Sequence, residues 1–211
     1  MLQAILLDLD NTLILFDETA FYLRFMERIS PRFASCFSAD EFRMRLLRAF
    51  RGLLKNPGAV NNRTFFLDRF CQGVEDRRAW IWEQFDTFYS TIYETIPVSV
   101  KTPADLMPVL DQLADWGLPL VLATNPLFPP VALVKRLAWA ELTPDRFVLL
   151  THLDNMSAVK PRTAYYRQII NMIGAEPETC LMVGNDSVND LAAGALGLKT
   201  FLTTDATRGH T

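Results

Sequence analysis

Two aspartates, Asp8 and Asp10, stand two residues apart directly after the apolar run at residues 4–7. Side chains two positions apart on an extended chain lie on the same side of the backbone, so these carboxylates come close together. Two like charges at that separation are unfavourable unless a cation or a proton bridges them. Residues 8–12 therefore predict a metal-assisted site, although Asp, Asn and Thr are also common in ordinary polar turns.

Two further polar segments follow later in the chain. Thr124 and Asn125 come after the apolar run at residues 120–123, and a hydroxyl and a backbone amide there could hold an oxygen of an anion. Lys160 opens a helical pattern after a loop and could place a fixed ammonium beside carboxylates and a phosphate. Each has a plainer interpretation, a polar strand end or a solvated lysine, so neither identifies a site alone.

The last candidate segment, residues 184–190, carries two more acids. Asp186 and Asp190 follow an apolar run and are one helical turn apart, so both would face the same crevice. Helix capping is the alternative interpretation, and it accounts for one acid better than for two. All of these segments lie at or beyond the C-terminal ends of candidate strands, where parallel sheets place their ligand sites. Together they predict one site for a divalent cation and a phosphate.

Short apolar runs that alternate with helical patterns predict the scaffold that positions these segments. Helices are expected over residues 102–116, with Thr102 as the N-cap, and over residues 161–173 and 188–196. The alternation predicts an α/β fold, a doubly wound parallel sheet with helices on both faces. The candidate strands are Ile5–Asp8, Leu120–Ala123, Phe147–Leu150, Leu181–Val183 and Lys199–Leu202.

Residues 15–98 have a different character. They are rich in Phe, Arg, Leu and Glu, and their apolar residues recur at helical spacing. We expect roughly four helices and no strand, with breaks near Pro31 and Gly73 among other places. The predicted division is an α/β core formed by residues 1–14 and 99–211, with an all-helical insert over residues 15–98.

Composition limits the class of protein and of partner. The chain has 211 residues, of which 50% are hydrophobic, and a net charge of −3, so neither nucleic acid nor an anionic membrane surface is an expected partner. No apolar stretch reaches the ~18 residues of a membrane span, and the first apolar run is expected to be a strand rather than a signal peptide.

Cys36, Cys71 and Cys180 are scattered, which favours free thiols in a reducing cytoplasm over zinc ligands. The polar residues Thr203–Thr211 are expected to form a mobile tail. Oligomeric state is left open.

The four segments, in this order, resemble the motifs of the haloacid dehalogenase superfamily of phosphohydrolases and phosphotransferases. The resemblance covers nearly the whole chain and implies a Rossmann-like core with a helical cap inserted after the first motif, where residues 15–98 fall. It also implies Mg²⁺ as the cofactor and a small phosphorylated molecule as the substrate. The residues that carry it are Asp8–Leu13, Ala123–Asn125, Lys160 with Pro161, and Gly184–Asp190.

The resemblance further implies a role for each motif residue. Asp8 would be the nucleophile that forms an aspartyl-phosphate, and Asp10 would protonate the leaving alcohol and then accept a proton from water. Thr124, the backbone amide of Asn125 and Lys160 would hold the transferring oxygens. Mg²⁺ would be held by Asp8, by the backbone carbonyl of Asp10 and by a carboxylate of the last motif.

The last motif departs from the family pattern. Asn185 stands directly after Gly184, where an acid is common in the family. If Asp186 and Asp190 are the family's pair of acids, their spacing of four is normal. We expect Asp186 to be the metal ligand, because it carries a charge that Asn185 lacks, and Asp190 and Asn185 to lie behind it. If Asn185 faces the metal instead, a neutral amide replaces a carboxylate and the affinity for the metal should fall.

These residues favour a Mg²⁺-dependent phosphatase that acts on a small phosphorylated metabolite. Asp10 argues against a haloacid dehalogenase, because the dehalogenases that the chain resembles lack an acid at that place, and it also argues against a phosphonate hydrolase. A sugar-phosphate mutase shares all four motifs and stays an alternative. A binding or scaffolding protein that retains the fold without catalysis is the alternative of another class.

Overall fold

The computed structural model describes residues 2–204 and contains a five-stranded sheet in which all strand pairs are parallel. The strand order is β3-β2-β1-β4-β5, so the first strand lies at the centre of the sheet. Every residue of β1 is buried, as expected for a strand covered on both faces. The strands are β1 (Ala4–Leu7), β2 (Leu120–Leu122), β3 (Leu149–Leu150), β4 (Cys180–Gly184) and β5 (Lys199–Leu202).

The register of the three middle strands brings their C-terminal ends together. Leu7 of β1 pairs with Leu122 of β2 on one side and with Val183 of β4 on the other. The backbone ladder continues one residue further, because the amide of Asp8 donates to the carbonyl of Val183 at 2.9 Å. The residues that directly follow these strands are therefore neighbours at one edge of the sheet.

Helices cover both faces of the sheet, which confirms the predicted fold class. On β1, Ile5 and Leu7 belong to the apolar cluster that includes α5 and α6, whereas Ala4 and Leu6 belong to the cluster that includes α7. Alternate residues of a strand point to opposite faces, so each face of β1 is sealed by different helices. These helices are α5 (Leu106–Asp115), α6 (Pro130–Ala138) and α7 (Thr163–Ile173).

The segment over residues 18–95, called here the helical segment, is helical as predicted. After α4 the chain continues through a π-helical turn at Phe88–Ile92 and a 3₁₀ turn at Tyr93–Thr95. An antiparallel bridge between Leu15 and Lys101 pairs the two stretches of chain that lead into and out of the segment. Its α-helices are α1 (Glu18–Ile29), α2 (Ala39–Leu53), α3 (Asn62–Phe70) and α4 (Arg78–Thr87).

Buried asparagines tie the helical segment to the sheet domain. Asn56 and Asn62 are both 0% exposed, and the amide of Asn56 donates to the side-chain oxygen of Asn62 at 3.0 Å. The amide of Asn62 in turn donates to the carbonyl of Ala158 at 3.0 Å. Because buried amides need their partners, these bonds fix the start of α3 against the loop that leads to Lys160.

Two helix predictions were wrong in detail, and one helix was missed. Helix α5 begins at Leu106 rather than after Thr102, because Lys101 is held in the bridge to Leu15 and the chain must turn before it can coil. The helix expected from Val188 is a 3₁₀ helix over Leu191–Leu196. Helix α6 was not predicted, since its start among prolines indicates a loop, yet it is stabilised by burying an apolar face.

Other predictions have mixed outcomes. Cys71 and Cys180 are buried free thiols as expected, whereas Cys36 is only partly buried. Among residues 2–204, no helix combines the length and apolar character needed to cross a membrane. Most of the predicted polar tail, from residue 205 onward, lies outside the described residues.

Candidate active site

Every residue that the sequence analysis assigns to the site lines one cavity of about 140 Å³ at the C-terminal edge of the sheet. Asp8 and Asp10 reach it from the end of β1, and Thr124 and Asn125 from the end of β2. Lys160 enters ahead of α7, and four residues enter from the segment after β4: Asn185, Asp186, Asn189 and Asp190. The strand register is therefore what converts four distant segments into one site.

A buried lysine between two carboxylates forms the centre of the site. The ammonium of Lys160 lies 2.8 Å from Oδ1 of Asp8 and 2.5 Å from Oδ1 of Asp190. Burial alone would lower the pKa of Lys160, but these two carboxylates raise it above the ordinary lysine value. Lys160 is therefore a fixed cation, only 3% exposed, and the prediction of a solvated lysine does not apply.

Burial also affects the two carboxyls that share Lys160. It raises the pKa of Asp8 above its ordinary value, with a further rise from the charge of Asp10, while Lys160 opposes both effects. It raises the pKa of Asp190 in the same way. One ammonium between two buried acids leaves negative charge without balance, so the site favours an additional cation.

The hydroxyl of Thr12 connects the first and last motifs. It lies 3.2 Å from Oδ2 of Asp8 and 3.3 Å from the side-chain oxygen of Asn185. The side-chain amide oxygen of Asn185 and the Asp8 carboxylate thus both accept from the Thr12 hydroxyl. Asn185 is placed beside the nucleophile candidate rather than in solvent.

Asp186 is committed to the turn that follows β4. Its Oδ1 accepts from the amides of Val188 and Asn189 at 2.8 and 2.9 Å, and its Oδ2 accepts from the side-chain amide of Asn189 at 2.6 Å. Burial would raise the pKa of Asp186, but these donors hold it below its ordinary value. Of the two acids in the last motif, Asp186 therefore caps the turn whereas Asp190 pairs with Lys160.

Gly184 allows Asp190 to reach Lys160. A Cβ built on Gly184 would lie 2.1 Å from Oδ2 of Asp190, which no side chain could tolerate. The same Oδ2 accepts from the backbone amide of Asp186 at 3.0 Å. The glycine is needed for the close approach of this carboxylate and not for a special backbone conformation.

Two hydroxyls donate hydrogen bonds to the backbone just beyond the end of β2. Thr151 and Tyr165 both donate to the carbonyl of Thr124, at 2.7 and 2.8 Å. Thr124 is 3% exposed and lines the cavity, as does Asn125. The buried Oδ1 of Asn125 has no hydrogen-bond partner anywhere in residues 2–204, as expected for a polar group whose partner is a ligand.

Arg136 is the site residue that the sequence analysis missed. Its guanidinium, on α6, contacts Oδ1 of Asp10 through Nη2, and its side chain is only 1% exposed. Burial raises the pKa of Asp10, and the charge of Glu18 adds to this, while Arg136 opposes both. A buried arginine in an otherwise apolar helix face was the available signal, but it could not be read without predicting α6.

The site offers a magnesium ion neutral oxygen donors as well as carboxylates. Among the described residues, no three His, Cys, Asp or Glu side chains converge on a point where they could hold a metal by themselves. Hard oxygen donors are nevertheless available: the carboxylate of Asp8 and the amide oxygen of Asn185 lie on either side of the Thr12 hydroxyl, and the resemblance adds the backbone carbonyl of Asp10. Mg²⁺ commonly takes one or two carboxylates and keeps several waters, so this set is suitable for it.

Comparisons with known proteins agree with the motifs. The family model of haloacid dehalogenase-like hydrolases matches residues 2–197. No curated protein matches the chain. Among solved structures, a 2-haloacid dehalogenase from Pseudomonas syringae pv. Tomato DC3000 is 18% identical, with 100% of this chain and 89% of that one covered and a TM-score of 0.62.

Two further structures share the fold at similar distance. A β-phosphoglucomutase from Clostridium difficile is 13% identical, with 99% of this chain and 88% of that one covered and a TM-score of 0.59. A family enzyme from Bacteroides thetaiotaomicron, in complex with magnesium and inorganic phosphate, is 15% identical, with coverage of 96% and 94% and a TM-score of 0.55. At such identities these structures establish a common fold and do not select one activity.

Proposed function

We propose that this chain, which belongs to the haloacid dehalogenase-like hydrolase family, is a phosphatase that hydrolyses a small phosphate monoester through a phosphorylated Asp8. The observation that carries the proposal is the fixed carboxylate of Asp8. Asp8 lines the cavity, Lys160 holds its Oδ1, and Thr12 donates to its Oδ2. A carboxylate that is oriented by a cation and a hydroxyl is arranged to attack rather than to stabilise the fold.

The remaining groups account for the other steps of such a reaction. An oxygen of Asp8 attacks phosphorus, the bond to the ester oxygen breaks, and Asp10 donates a proton to the departing alcohol. Water then attacks phosphorus with Asp10 as the proton acceptor, which releases phosphate and restores the Asp8 carboxylate. Lys160, the Thr124 hydroxyl and the backbone amide of Asn125 stabilise the charge on the transferring oxygens.

A magnesium ion suits the excess of negative charge in the cavity. When bound, it would screen the approach of a carboxylate to a phosphate dianion. Asp8 and the backbone carbonyl of Asp10 are the first candidates to hold it. The Bacteroides thetaiotaomicron enzyme of the same fold, which was solved in complex with magnesium and inorganic phosphate, supports Mg²⁺ as the cofactor.

The third protein ligand is either Asn185 or Asp186. The sequence favours Asp186, whose charge suits Mg²⁺ better. In the structure, however, both carboxylate oxygens of Asp186 accept hydrogen bonds within the turn after β4. The amide oxygen of Asn185 accepts from the Thr12 hydroxyl, which also donates to Asp8. We therefore propose Asn185 as the ligand. Calorimetric titration with Mg²⁺ tests this choice: Asn185→Asp should tighten binding, whereas Asp186→Asn should mainly destabilise the turn. If Asp186→Asn weakens Mg²⁺ binding and Asn185→Asp leaves it unchanged, Asp186 is the ligand and the assignment is reversed.

The walls of the cavity suggest the class of substrate. Glu18 and Tyr22, from the start of α1, line it together with Phe128. Among the described residues that line it, Lys160 is the only cation, and it is already bound by two carboxylates. We propose that α1 acts as the specificity-determining part of a cap formed by the helical segment, and that the leaving group is small and carries no second anion.

Hydrolysis of p-nitrophenyl phosphate tests the proposed function. Turnover should require Mg²⁺ and disappear in Asp8→Asn, with the folded state checked by circular dichroism. Formation of an acid-stable, hydroxylamine-sensitive phosphoenzyme on the wild type, absent from the variant, would identify Asp8 as the acceptor. No phosphoenzyme and no turnover with any phosphate ester would favour the scaffold alternative. Transfer to a second sugar hydroxyl instead of water, seen by product analysis, would favour the mutase.

A further inference from the structure

Arg136 is a buried cation at a place where the fold does not need one. It lies on the face of α6 that packs into the core, beside Leu133 and Leu137. Four aromatic rings surround its guanidinium carbon, with ring centroids 5.1–5.8 Å away. The rings belong to Phe16, Phe21, Phe128 and Trp139.

The surroundings of Arg136 satisfy only part of it. Its Nη2 contacts Asp10, but its Nε and Nη1 find no hydrogen-bond partner among the described residues. The faces of the aromatic rings offer the cation some compensation. A buried ion pair with unsatisfied donors is commonly no better for stability than a hydrophobic side chain of similar volume. The reason for Arg136 is therefore to be found in what it does to Asp10.

Asp10 depends on Arg136 for its orientation. Its side chain is 21% exposed and lines the cavity, on the loop that follows β1. Arg136 takes Oδ1, and Oδ2 has no hydrogen bond to any described residue. A carboxylate that is anchored through one oxygen presents the other in a defined direction.

We propose that Arg136 is a positioning residue, which anchors Oδ1 of Asp10 so that Oδ2 is presented to the leaving-group oxygen of the substrate. This inference rests on the proposed function, in which Asp10 transfers the proton. The aromatic rings hold the guanidinium in one place. Proton transfer needs the donor and acceptor atoms at hydrogen-bond distance, so the anchor affects the chemical step rather than binding.

The main test combines Arg136→Met, which keeps an unbranched apolar stem but removes the guanidinium, with Asp10→Asn. In the wild-type background, Arg136→Met should lower kcat roughly 10- to 100-fold with little change in KM. The loss should be larger for an alkyl phosphate than for p-nitrophenyl phosphate, whose leaving group needs little protonation. In the Asp10→Asn background, the same substitution should change kcat by less than about threefold.

Two variants separate positioning from structural support. Arg136→Lys keeps the charge but not the planar fork, and should recover part of the activity that Arg136→Met loses. Leu133→Ala, on the same buried face of α6, should lower the melting temperature while kcat per folded molecule stays within about twofold. Equal losses of kcat in both Asp10 backgrounds, or equal losses with both leaving groups, would overturn the proposal.

A spectroscopic readout does not depend on activity. In the wild type, anchoring to Asp10 should give Arg136 resolved Nη signals in a ¹⁵N spectrum, because rotation of the guanidinium is hindered. Asp10→Asn should shift or merge these signals while other arginines are unaffected; unchanged signals would overturn the proposal. If the wild-type enzyme hydrolyses no phosphate ester, the proposed function fails, and this spectrum still decides whether Arg136 anchors Asp10.

Discussion

The helical segment and the C-terminal edge of the sheet are built on opposite principles. In the helical segment, five phenylalanines pack ring against ring with centroids 4.6–6.3 Å apart and no charge among them: Phe33, Phe42, Phe66, Phe70 and Phe85. We call this set the aromatic core. At the sheet edge, three acids and two cations are buried or half-buried and form ion pairs. Lys160 binds Asp8 and Asp190, and Arg136 binds Asp10. We call this set the charged edge.

The contrast separates stability from function. Burial of aromatic surface is favourable in itself, so the aromatic core contributes free energy of folding with every ring. Burial of charge is costly, and each ion pair of the charged edge at best compensates that cost. The fold can support the charged edge because apolar packing elsewhere supplies the stability. Substitutions in the aromatic core should therefore lower stability and leave kcat unchanged, whereas substitutions in the charged edge should lower kcat whether or not they also lower stability.

The largest effect is expected at Lys160. Lys160→Met should lower kcat by roughly a thousandfold or more, because it removes the cation that orients Asp8. It should also lower the free energy of unfolding by about 3–5 kcal/mol, since Asp8 and Asp190 would lose the cation that both of them bind. The measurements are steady-state kinetics and urea unfolding.

A second substitution distinguishes these two consequences. Asp190→Asn in the Lys160→Met background removes one of the two negative charges that Lys160 no longer balances. The double variant should regain much of the lost stability and none of the lost activity. Recovery of activity together with stability would mean that Lys160 serves the fold and not the reaction.

Phe85→Ala tests the aromatic core in the same way. Phe85 is 2% exposed and packs against Phe33 and Phe70, so its truncation should lower the free energy of unfolding by about 3–5 kcal/mol. The activity of the molecules that remain folded should not change. Phe201→Ala is the matched control, because Phe201 is 59% exposed and should cost little. A large fall in kcat for Phe85→Ala at full folding would contradict the separation.

Gly184→Ala should affect the charged edge by sterics alone. The new methyl group would displace Asp190 from Lys160, and we expect kcat to fall roughly 10- to 100-fold. Gly194→Ala is a close control, since its Cβ would meet only Thr200, at an ordinary distance of 3.8 Å. The measurement is kcat for both variants. If Gly184→Ala and Gly194→Ala have the same kcat, the Asp190 carboxylate can bind Lys160 even with a methyl group at position 184.

The two sets also differ in how well the sequence predicts them. The periodicity of large apolar residues predicts the helical segment, because helix packing depends mainly on the spacing of apolar residues. The motifs at strand ends predict which residues gather at the charged edge, since parallel strands share a C-terminal edge. The sequence does not predict how they pair. Arg136 is 126 positions from Asp10 along the chain, and its pairing depends on α6, which the local sequence does not mark.

The assignment within the last motif shows the same limit. Spacing favours Asp186 over Asn185 as the residue that faces the site, because spacing and charge are all that the sequence offers. The turn after β4 decides otherwise in the structure, since the amides of Val188 and Asn189 bind the Asp186 carboxylate. Competition between backbone donors and a site for one carboxylate is a matter of three-dimensional geometry.

The smallest effect is expected where the two regions meet, at Glu18. Its Oε1 accepts from the side-chain amide of Asn11 at 2.6 Å, and Glu18→Gln keeps that acceptor while removing the charge. If the charge of Glu18 excludes a second anion, the KM for a phosphorylated carboxylic acid should fall about three- to fivefold in this variant at low salt. The KM for an uncharged polyol phosphate should stay within about twofold, and Glu27→Gln, on the same helix but away from the cavity, should change neither. Equal changes for both substrates would mean that Glu18 shapes the cavity without selecting charge, and the helical segment would then contribute only packing to the site.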